Sequence, residues 1–389
     1  MKHSIRNILM GGLFLLLITG LGIAGDLQTA SWYIFDPELN EAFTADAGDE
    51  HESAYLANFP GKDAFIDGNG LMAGILGQRE MNGVIKLNNG YLTDVRPQLS
   101  REKLREEAET VIHVSDVLKQ HGIPFLYVAA PMKPADGAGC TAQEQLPAGV
   151  EDYGNENLDF FLSCLSEGNE VNILDLRQAM NEDGRDPYEF FYRTDHHWTT
   201  EGAFYAYQKL AAWIKALTGT EPEQQVSDSE QYNRTVYKGW HMGSNARRTG
   251  TLYAGLDDFV LITPKFETKL TNRVSGQTGS FEEVLLNMEA VEEKDLDYSL
   301  YDRLYLHALE QYHNELCSNG LKILLICDSY GAALNPYLVL SCEDTECMSA
   351  YAPGLLTESY LEQQQPDLVI LMQYSGLNLG EDSSFEFGL

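Results

Sequence analysis

The sequence predicts an α/β fold, a parallel sheet with helices on both faces, and three observations predict it. Short, largely apolar runs of strand length recur along the chain: PFLYVAA (124–130), VNILDL (171–176), LKILLI (321–326) and DLVILM (367–372). Such runs belong to strands covered on both sides, as strands in parallel sheets are. Each run follows a stretch of helical spacing, so helix and buried strand alternate in the manner of a layered α/β core. The chain has 389 residues, 44% of them hydrophobic, which is enough for one large core without disulfide staples.

Taken in order, residues 31–91 are rich in Gly, Asp and Asn and read as a lead-in of loops and short elements. Residues 99–121 read as an amphipathic helix. Ser100 is its N-cap, Leu104, Ala108, Val111, Ile112 and Leu118 form its apolar stripe, and Gly122 stops it. The first strand follows at 124–130. Residues 158–165 look helical and lead to the strand at 171–176, and residues 200–217 form a Tyr- and Ala-rich helix. Residues 301–317 read as another helix, ahead of the strand at 321–326. A last helical stretch at 355–364 precedes the strand at 367–372. Between 218 and 299 the alternation breaks into a polar segment with pieces such as 259–263, which reads as an insertion on the core.

Charge and the N-terminus bound the function. Asp and Glu number 59 against 26 Lys and Arg, a formal net charge of -33, which repels phosphate backbones and excludes a general nucleic-acid binder. Lys2, His3 and Arg6 precede an apolar run from Ile8 to Gly25. That run is long enough to span a membrane as a signal-anchor, and removal as a signal peptide is the alternative. Either way the remainder is expected outside the cytoplasm. The expected organisation is a signal segment over 1–25, a lead-in packing on the core over 26–95, and a catalytic domain over 96–389 carrying the insertion at about 218–299. Of the six cysteines, Cys342 and Cys347 are near enough in sequence to close a small loop, and Cys327 reads as a buried thiol. No CxxC pairs suggest zinc, and no disulfide is assigned.

Two places combine reactive side chains with a suitable setting. At 321–335, LKILLICDSYGAALN, a buried strand ends and a helix begins around Ser329. The carboxyl end of a parallel strand is where α/β folds hold ligands and nucleophiles. At 190–202, FFYRTDHHWTTEG, Asp195 and His197 can supply from one turn the base that a serine hydroxyl needs and the acid that orients the base. Other roles are open to each. Ser329 or Asp328 can serve as a helix N-cap, the paired His196 and His197 can be core or surface histidines, and with Asp195 they could ligate a metal. A further ligand at helical spacing is missing, so no metal is assigned.

The stretch TDHHWTTEGAFYAY resembles the signature of the DHHW-motif proteins. With the downstream CDSY turn it is similar to the SGNH-hydrolase-like proteins of the alginate O-acetylation machinery. NFPGKDAF (58–65), NGVIKLNNGYL (82–92), YVAAPMK (127–133) and LDDFVLITPKFET (256–268) add to the resemblance, which covers roughly 55–375. It implies an SGNH-hydrolase-like, flavodoxin-like sheet with the motifs in circularly permuted order. Asp195 and His197 come first and the nucleophile Ser329 later, with His197 as general base and Asp195 as its orienting acid. His196 would face away, and Trp198 would pack against the sheet. The resemblance also implies an extracytoplasmic O-acyltransferase, most simply an O-acetyltransferase, acting on a cell-envelope or exopolysaccharide glycan. Its acyl donor would come from a membrane acyltransferase partner of the MBOAT type, so no cofactor is expected. A carbohydrate esterase with the same triad and a non-catalytic polysaccharide-binding protein are the alternatives.

Two departures stand against the pattern. The Gly and Asn blocks that complete the usual oxyanion hole are not recognisable, which leaves the Ser329 N–H as the named donor. After the last strand, Gln373, Tyr374, Ser375 and Gly376 stand where related proteins carry a Glu-Arg pair, with Tyr374 a candidate substrate contact. The acidity also favours a neutral or cationic acceptor over a polyuronate, unless the paired Arg247 and Arg248 gather at the Ser329 cleft.

Overall fold

A computed structural model of the protein describes residues 61–137, 139–167, 171–305, 310–351, 354, 356–374, 379 and 387–389. The N-terminal apolar run and residues 375 and 376 lie outside these, and among the described residues no helix is long and apolar enough to cross a membrane. The chain divides into two compact units, Met1–Leu76 and Gly77–Leu389. The described part of the first holds one helix, α1 (Lys62–Ile75).

The second unit opens with an antiparallel meander, β1 (Glu80–Met81), β2 (Val84–Lys86) and β3 (Leu92–Thr93). From Gly77 the chain is tied into the larger unit by bonds such as Leu92 N–H to Arg193 O at 2.8 Å and Lys86 Nζ to Tyr253 O at 3.0 Å.

The core is a sheet of eight described strands: β4 (Phe125–Ala129), β5 (Asn172–Asp175), β8 (Leu270–Asn272), β9 (Thr278–Gly279), β10 (Gln311–Asn314), β11 (Lys322–Cys327), β12 (Asp344–Ser349) and β13 (Leu368–Gln373). Their order is β5-β4-β13-β11-β12-β10-β8-β9, parallel from β5 to β12 and antiparallel beyond it. Every residue of β4 and β13 is buried, so both faces of the sheet centre are covered. The described helices include α2 (Arg101–Gln120), α3 (Gly154–Ser166), α4 (Leu176–Glu182), α5 (Thr200–Thr218), α6 (Ser244–Thr249), α7 (Leu300–Leu304), α8 (Ser329–Ala332), α9 (Asn335–Ser341) and α10 (Glu358–Gln364), with other helical turns of three to five residues between them. As the sequence predicts, Ser100 caps α2 by accepting the Lys103 N–H at 3.1 Å, and Gly122, at φ 73°, ends it.

The sheet departs from the expected one at its edge. The helix expected at 301–317 stops at Leu304, and Gln311–Asn314 is strand β10, antiparallel to both β12 and β8. In β10 only Tyr312 and Asn314 face inward, and in β12 only Thr345 and Cys347 do. Strands this polar lack the apolar run that announces a strand in sequence. The segment expected as an insertion is also divided. Its hairpin β6 (Tyr232–His241) and β7 (Asp257–Pro264) forms a separate two-stranded sheet, while β8 and β9 extend the core sheet. All six cysteines are free, and Cys347 faces Cys327, Sγ to Sγ 3.4 Å, rather than Cys342.

In chain order β4 and β5 step to one side, β11 and β12 to the other, and β13 lies between β4 and β11. Neighbouring strand ends part at such a point, and ligand sites form outside the carboxyl ends there. The ends of β4, β13 and β11 carry Lys133, Tyr374 and Ser329 to one place.

Candidate active site

Ser329 is presented by a tight turn between β11 and α8. The cap of α8 is Asp328, whose Oδ1 accepts the Tyr330 N–H at 2.9 Å and whose Oδ2 accepts the Tyr374 N–H. That leaves the Ser329 hydroxyl free for other work. It lies half-buried, 2.8 Å from Nε2 of His197, and its own N–H has no hydrogen-bond partner among the described residues. The turn needs Gly331, because a Cβ there would lie 2.2 Å from Cys327 Sγ.

The loop bearing Asp195 and His197 is pinned on all sides. The Thr194 N–H and hydroxyl both donate to Asp257 Oδ2, at 2.8 and 2.6 Å, and the Thr194 carbonyl accepts the N–H groups of Asn245 and Ala246 at 3.1 Å each. Lys133, buried just past β4, donates from Nζ to the carbonyls of Tyr192 at 2.7 Å and Asp195 at 2.6 Å. Burial pushes its pKa down to about 7 against the pull of Asp257 and Asp195. Thr199 ends the loop by capping α5, accepting the Gly202 N–H at 3.1 Å.

The Asp195 carboxylate is a hub. Oδ1 accepts the His196 N–H at 2.7 Å and the Ser244 hydroxyl at 3.0 Å, and lies 3.4 Å from His197 Nδ1; Oδ2 faces Nε2 of His241 at 3.0 Å. The His197 contact is within ion-pair range without the alignment of a hydrogen bond. Burial by itself raises the carboxyl pKa, but the neighbouring His197 and the hydrogen bonds donated by the histidines hold it well below the ordinary carboxylate range. His197 is shifted down from 6.5, first by burial and then by His196, with Asp195 pulling the other way. Its ring is sandwiched between His196, at 3.9 Å between centroids, and Tyr301, at 4.4 Å. In the tautomer that carries its hydrogen on Nδ1, which faces Asp195, Nε2 is free to accept the Ser329 hydroxyl proton.

The three residues that sequence reasoning singled out, Asp195, His197 and Ser329, therefore meet. His196 does not face away: its Nδ1 lies 2.9 Å from Ser244 Oγ and 3.0 Å from Asp195 Oδ1. Ligand atoms of Asp195, His196 and His197 come within 4.8 Å of one another, near enough for one cation. The donor set suits the triad better, because His197 Nε2 faces the serine and Asp195 Oδ1 already accepts two hydrogens. Trp198 is fully buried and donates from Nε1 to Tyr301 Oη at 3.2 Å. Tyr374 is buried too, its ring stacked on Tyr330 and its hydroxyl accepting from Arg96 Nη2 at 2.6 Å.

Three contributors carried no sequence signal, His241, Ser244 and Tyr301, and Lys133 carried none beyond ending the YVAAPMK stretch, with no role assigned. They come from four separate elements, and only the tertiary fold brings them together. Of the paired arginines, Arg248 binds Asp94 and Asn245. Arg247 instead lines a cavity of about 650 Å³ together with Asp295, Asp297, Tyr298, Asp302 and Arg303. The cavity is walled partly by α6 and α7, which also bring Ser244 to Asp195 and Tyr301 to His197.

The mostly parallel sheet, with Ser329 at the end of β11 and the Asp195–His197 loop beside it, is an SGNH-hydrolase-like α/β fold, and comparison with known proteins agrees. Residues 91–247 match the family model described as the SGNH hydrolase-like domain of the acetyltransferase AlgX. That stretch holds Asp195 and His197 and ends before Ser329. Among individual proteins, the chain is 28% identical over 149 residues to the probable alginate O-acetylase AlgJ of Pseudomonas putida, spanning 38% of this chain and 37% of that protein. Its fold is that of Bacillus cereus PatB1, solved with a sulfonyl adduct, at a TM-score of 0.62 and 19% identity over 80% of this chain and 99% of that one. A DHHW family protein from Eubacterium siraeum shares it at a TM-score of 0.55 and 16% identity, over 79% and 95% of the two chains.

Proposed function

We propose that the protein is an extracytoplasmic O-acyltransferase, most simply an O-acetyltransferase, that works on a glycan through an acyl-serine. The observation that carries this reading is the 2.8 Å approach of His197 Nε2 to Ser329 Oγ, with the ionised Asp195 behind it. Ser329 Oγ attacks the acyl carbonyl of the donor as His197 takes its proton, and the Asp195 charge stabilises the imidazolium that results. The oxyanion forms beside the free Ser329 N–H. Collapse expels the donor's oxygen, which receives the proton from His197, and leaves the acyl group on Ser329. The acceptor hydroxyl then gives its proton to His197 and takes the acyl group, restoring the serine.

No cofactor is needed if a membrane acyltransferase of the MBOAT type presents the donor, as the family resemblance in the sequence implies. Hydrolysis would use the same residues with water in place of the sugar, so the test is a product assay. The purified protein, given an acetyl ester and an oligosaccharide, is expected to yield acetylated sugar; free acetate alone, with the acceptor unmodified, would make it an esterase.

The acceptor is read as neutral or cationic. In the cavity beside α6 and α7 three aspartates face two arginines, and the chain as a whole carries a net charge of -33. Neutral or amino-sugar oligomers should therefore accept acetyl at least about tenfold faster than a polyuronate of equal length, with the gap narrowing in high salt. Equal rates at low salt would contradict this.

The pH profile has a determined sign. His197 must be neutral to act as base, and its pKa lies below 6.5 because it is buried beside His196. The kcat/KM of the free enzyme should hold as pH falls to 6.5 and decline only below it. Asp195 stays ionised throughout that range. An acid limb above 6.5 would show that His197 is solvated or is not the base.

A further inference from the structure

We infer that His241 is a positioning residue of the triad, the fourth side chain that sets where Asp195 presents its charge. This rests on the acyl-serine reading above and adds a residue to it. His241 ends β6, where it pairs across the hairpin with Asp257. It is completely buried, with its ring on Tyr192 at 4.2 Å and Phe259 at 6.0 Å.

Its hydrogen can be placed by elimination. Asp195 Oδ2, 3.0 Å from Nε2, only accepts, so Nε2 must carry the hydrogen. Nδ1 is buried with no partner among the described residues. A second proton there would be an unpaired buried N–H on a buried cation, which is far costlier than an idle lone pair. His241 is therefore neutral and donates to Oδ2.

That bond fixes the rotation of the carboxylate. With Oδ2 held by His241, and Oδ1 held by the His196 N–H and Ser244, Oδ1 is turned to His197. The bond also draws off part of the negative charge that would otherwise bear on the imidazolium of His197. The other titratable groups facing this cluster are the His196 ring, Lys133 on the Asp195 carbonyl, Asp257 and Tyr192 near His241, Asp302 and Tyr301 beside His197, and Tyr330 over the histidine pair. None of them bonds to Oδ2.

The test has two arms. In the intact protein labelled with 15N-histidine, His241 should show a protonated Nε2 and a bare Nδ1 at the pH of the activity assay, as its bond to Asp195 Oδ2 and its unpartnered Nδ1 require. An imidazolium or an Nδ1–H tautomer overturns the proposal without any variant having to fold. In the second arm, His241→Leu should lower kcat by about tenfold to a hundredfold, the range set by losing a hydrogen bond to a charged group. It should also move the acid limb to higher pH. Asp195, relieved of one donor, stabilises the His197 imidazolium more strongly, so the base is lost at a higher pH. His241→Gln, whose amide can donate to Oδ2, should return both values toward wild type. A lower melting temperature with an unmoved limb, or no rescue by Gln, marks a purely structural residue and overturns the proposal. Ser329→Ala run alongside separates the two claims: if it kills turnover while His241→Leu leaves the limb in place, the triad stands and the positioning role falls.

Discussion

Ser329→Ala is expected to cut acyl turnover by about five to six orders of magnitude while leaving the fold intact. The members of such a triad act as a unit, so losing the nucleophile alone costs about as much as losing all of them. What survives is the rate given by binding and by the oxyanion donor. The fold should tolerate the change because the structural duties of this turn fall on its neighbours. Asp328 caps α8 and ties down the Tyr374 N–H, and Gly331 allows the chain to pass Cys327. The substitution deletes one hydrogen bond, that to His197, so the stability change should stay within about 1 kcal/mol. Ester turnover together with a thermal melt checks both halves. A variant that keeps turnover within about tenfold of wild type would mean that the chemistry lies elsewhere.

Gly243→Ala should remove about a hundredfold of activity without touching any reacting group. Gly243 precedes α6, and its backbone, at φ -71° and ψ 170°, is open to any residue. The obstacle is space. A Cβ would lie 2.4 Å from both Asp195 Cβ and the Thr194 carbonyl oxygen, and 2.5 Å from Asp195 Cα. Two of these three atoms are backbone, so no side-chain rotation relieves the clash, and the loop must move away from α6. That carries Asp195 off its contacts with His197, Ser244 and His241, and misplacing a catalytic group by about 1 Å costs on the order of a hundredfold. Forcing the loop outward should also cost about 1–3 kcal/mol, as overpacking does. Gly74→Ala is the control, since a Cβ there meets nothing within 4 Å. Equal activity in both variants would mean that the position of Asp195 is not critical.

The contrast between these two glycine-level and serine-level effects marks how far the sequence was legible. Strands β4, β11 and β13 could be read because they are buried on both faces along nearly their whole length, which forces apolar residues at all but Lys322, exposed at the start of β11, and Gln373 at the end of β13. The polar strands β10 and β12 could not, and the single amphipathic helix expected at 301–317 hid both the end of α7 and the whole of β10. At the site, Asp195, His197 and Ser329 could be singled out because each combines a reactive group with a turn at the edge of a regular element. Whether Ser329 was a cap or a nucleophile could not be decided from DSYG, since Asp328 and Ser329 are both good caps. In the structure the cap is Asp328, which leaves the Ser329 hydroxyl free to meet His197. The roles of Lys133, His241, Ser244 and Tyr301 stayed invisible, Lys133 showing only as the end of YVAAPMK, because each acts on the site from a distant part of the chain and a lone side chain has no spacing to betray what it does.

The most direct test of the account is a covalent trap. The purified protein is treated with an arylsulfonyl fluoride, digested, and its peptides mapped by mass spectrometry. The account predicts one adduct, on the peptide carrying Ser329, formed rapidly in wild type, sharply slower in His197→Gln and absent in Ser329→Ala. A wild-type protein that turns over acetyl esters yet carries the label on a different residue, or labels equally fast without His197, would contradict it.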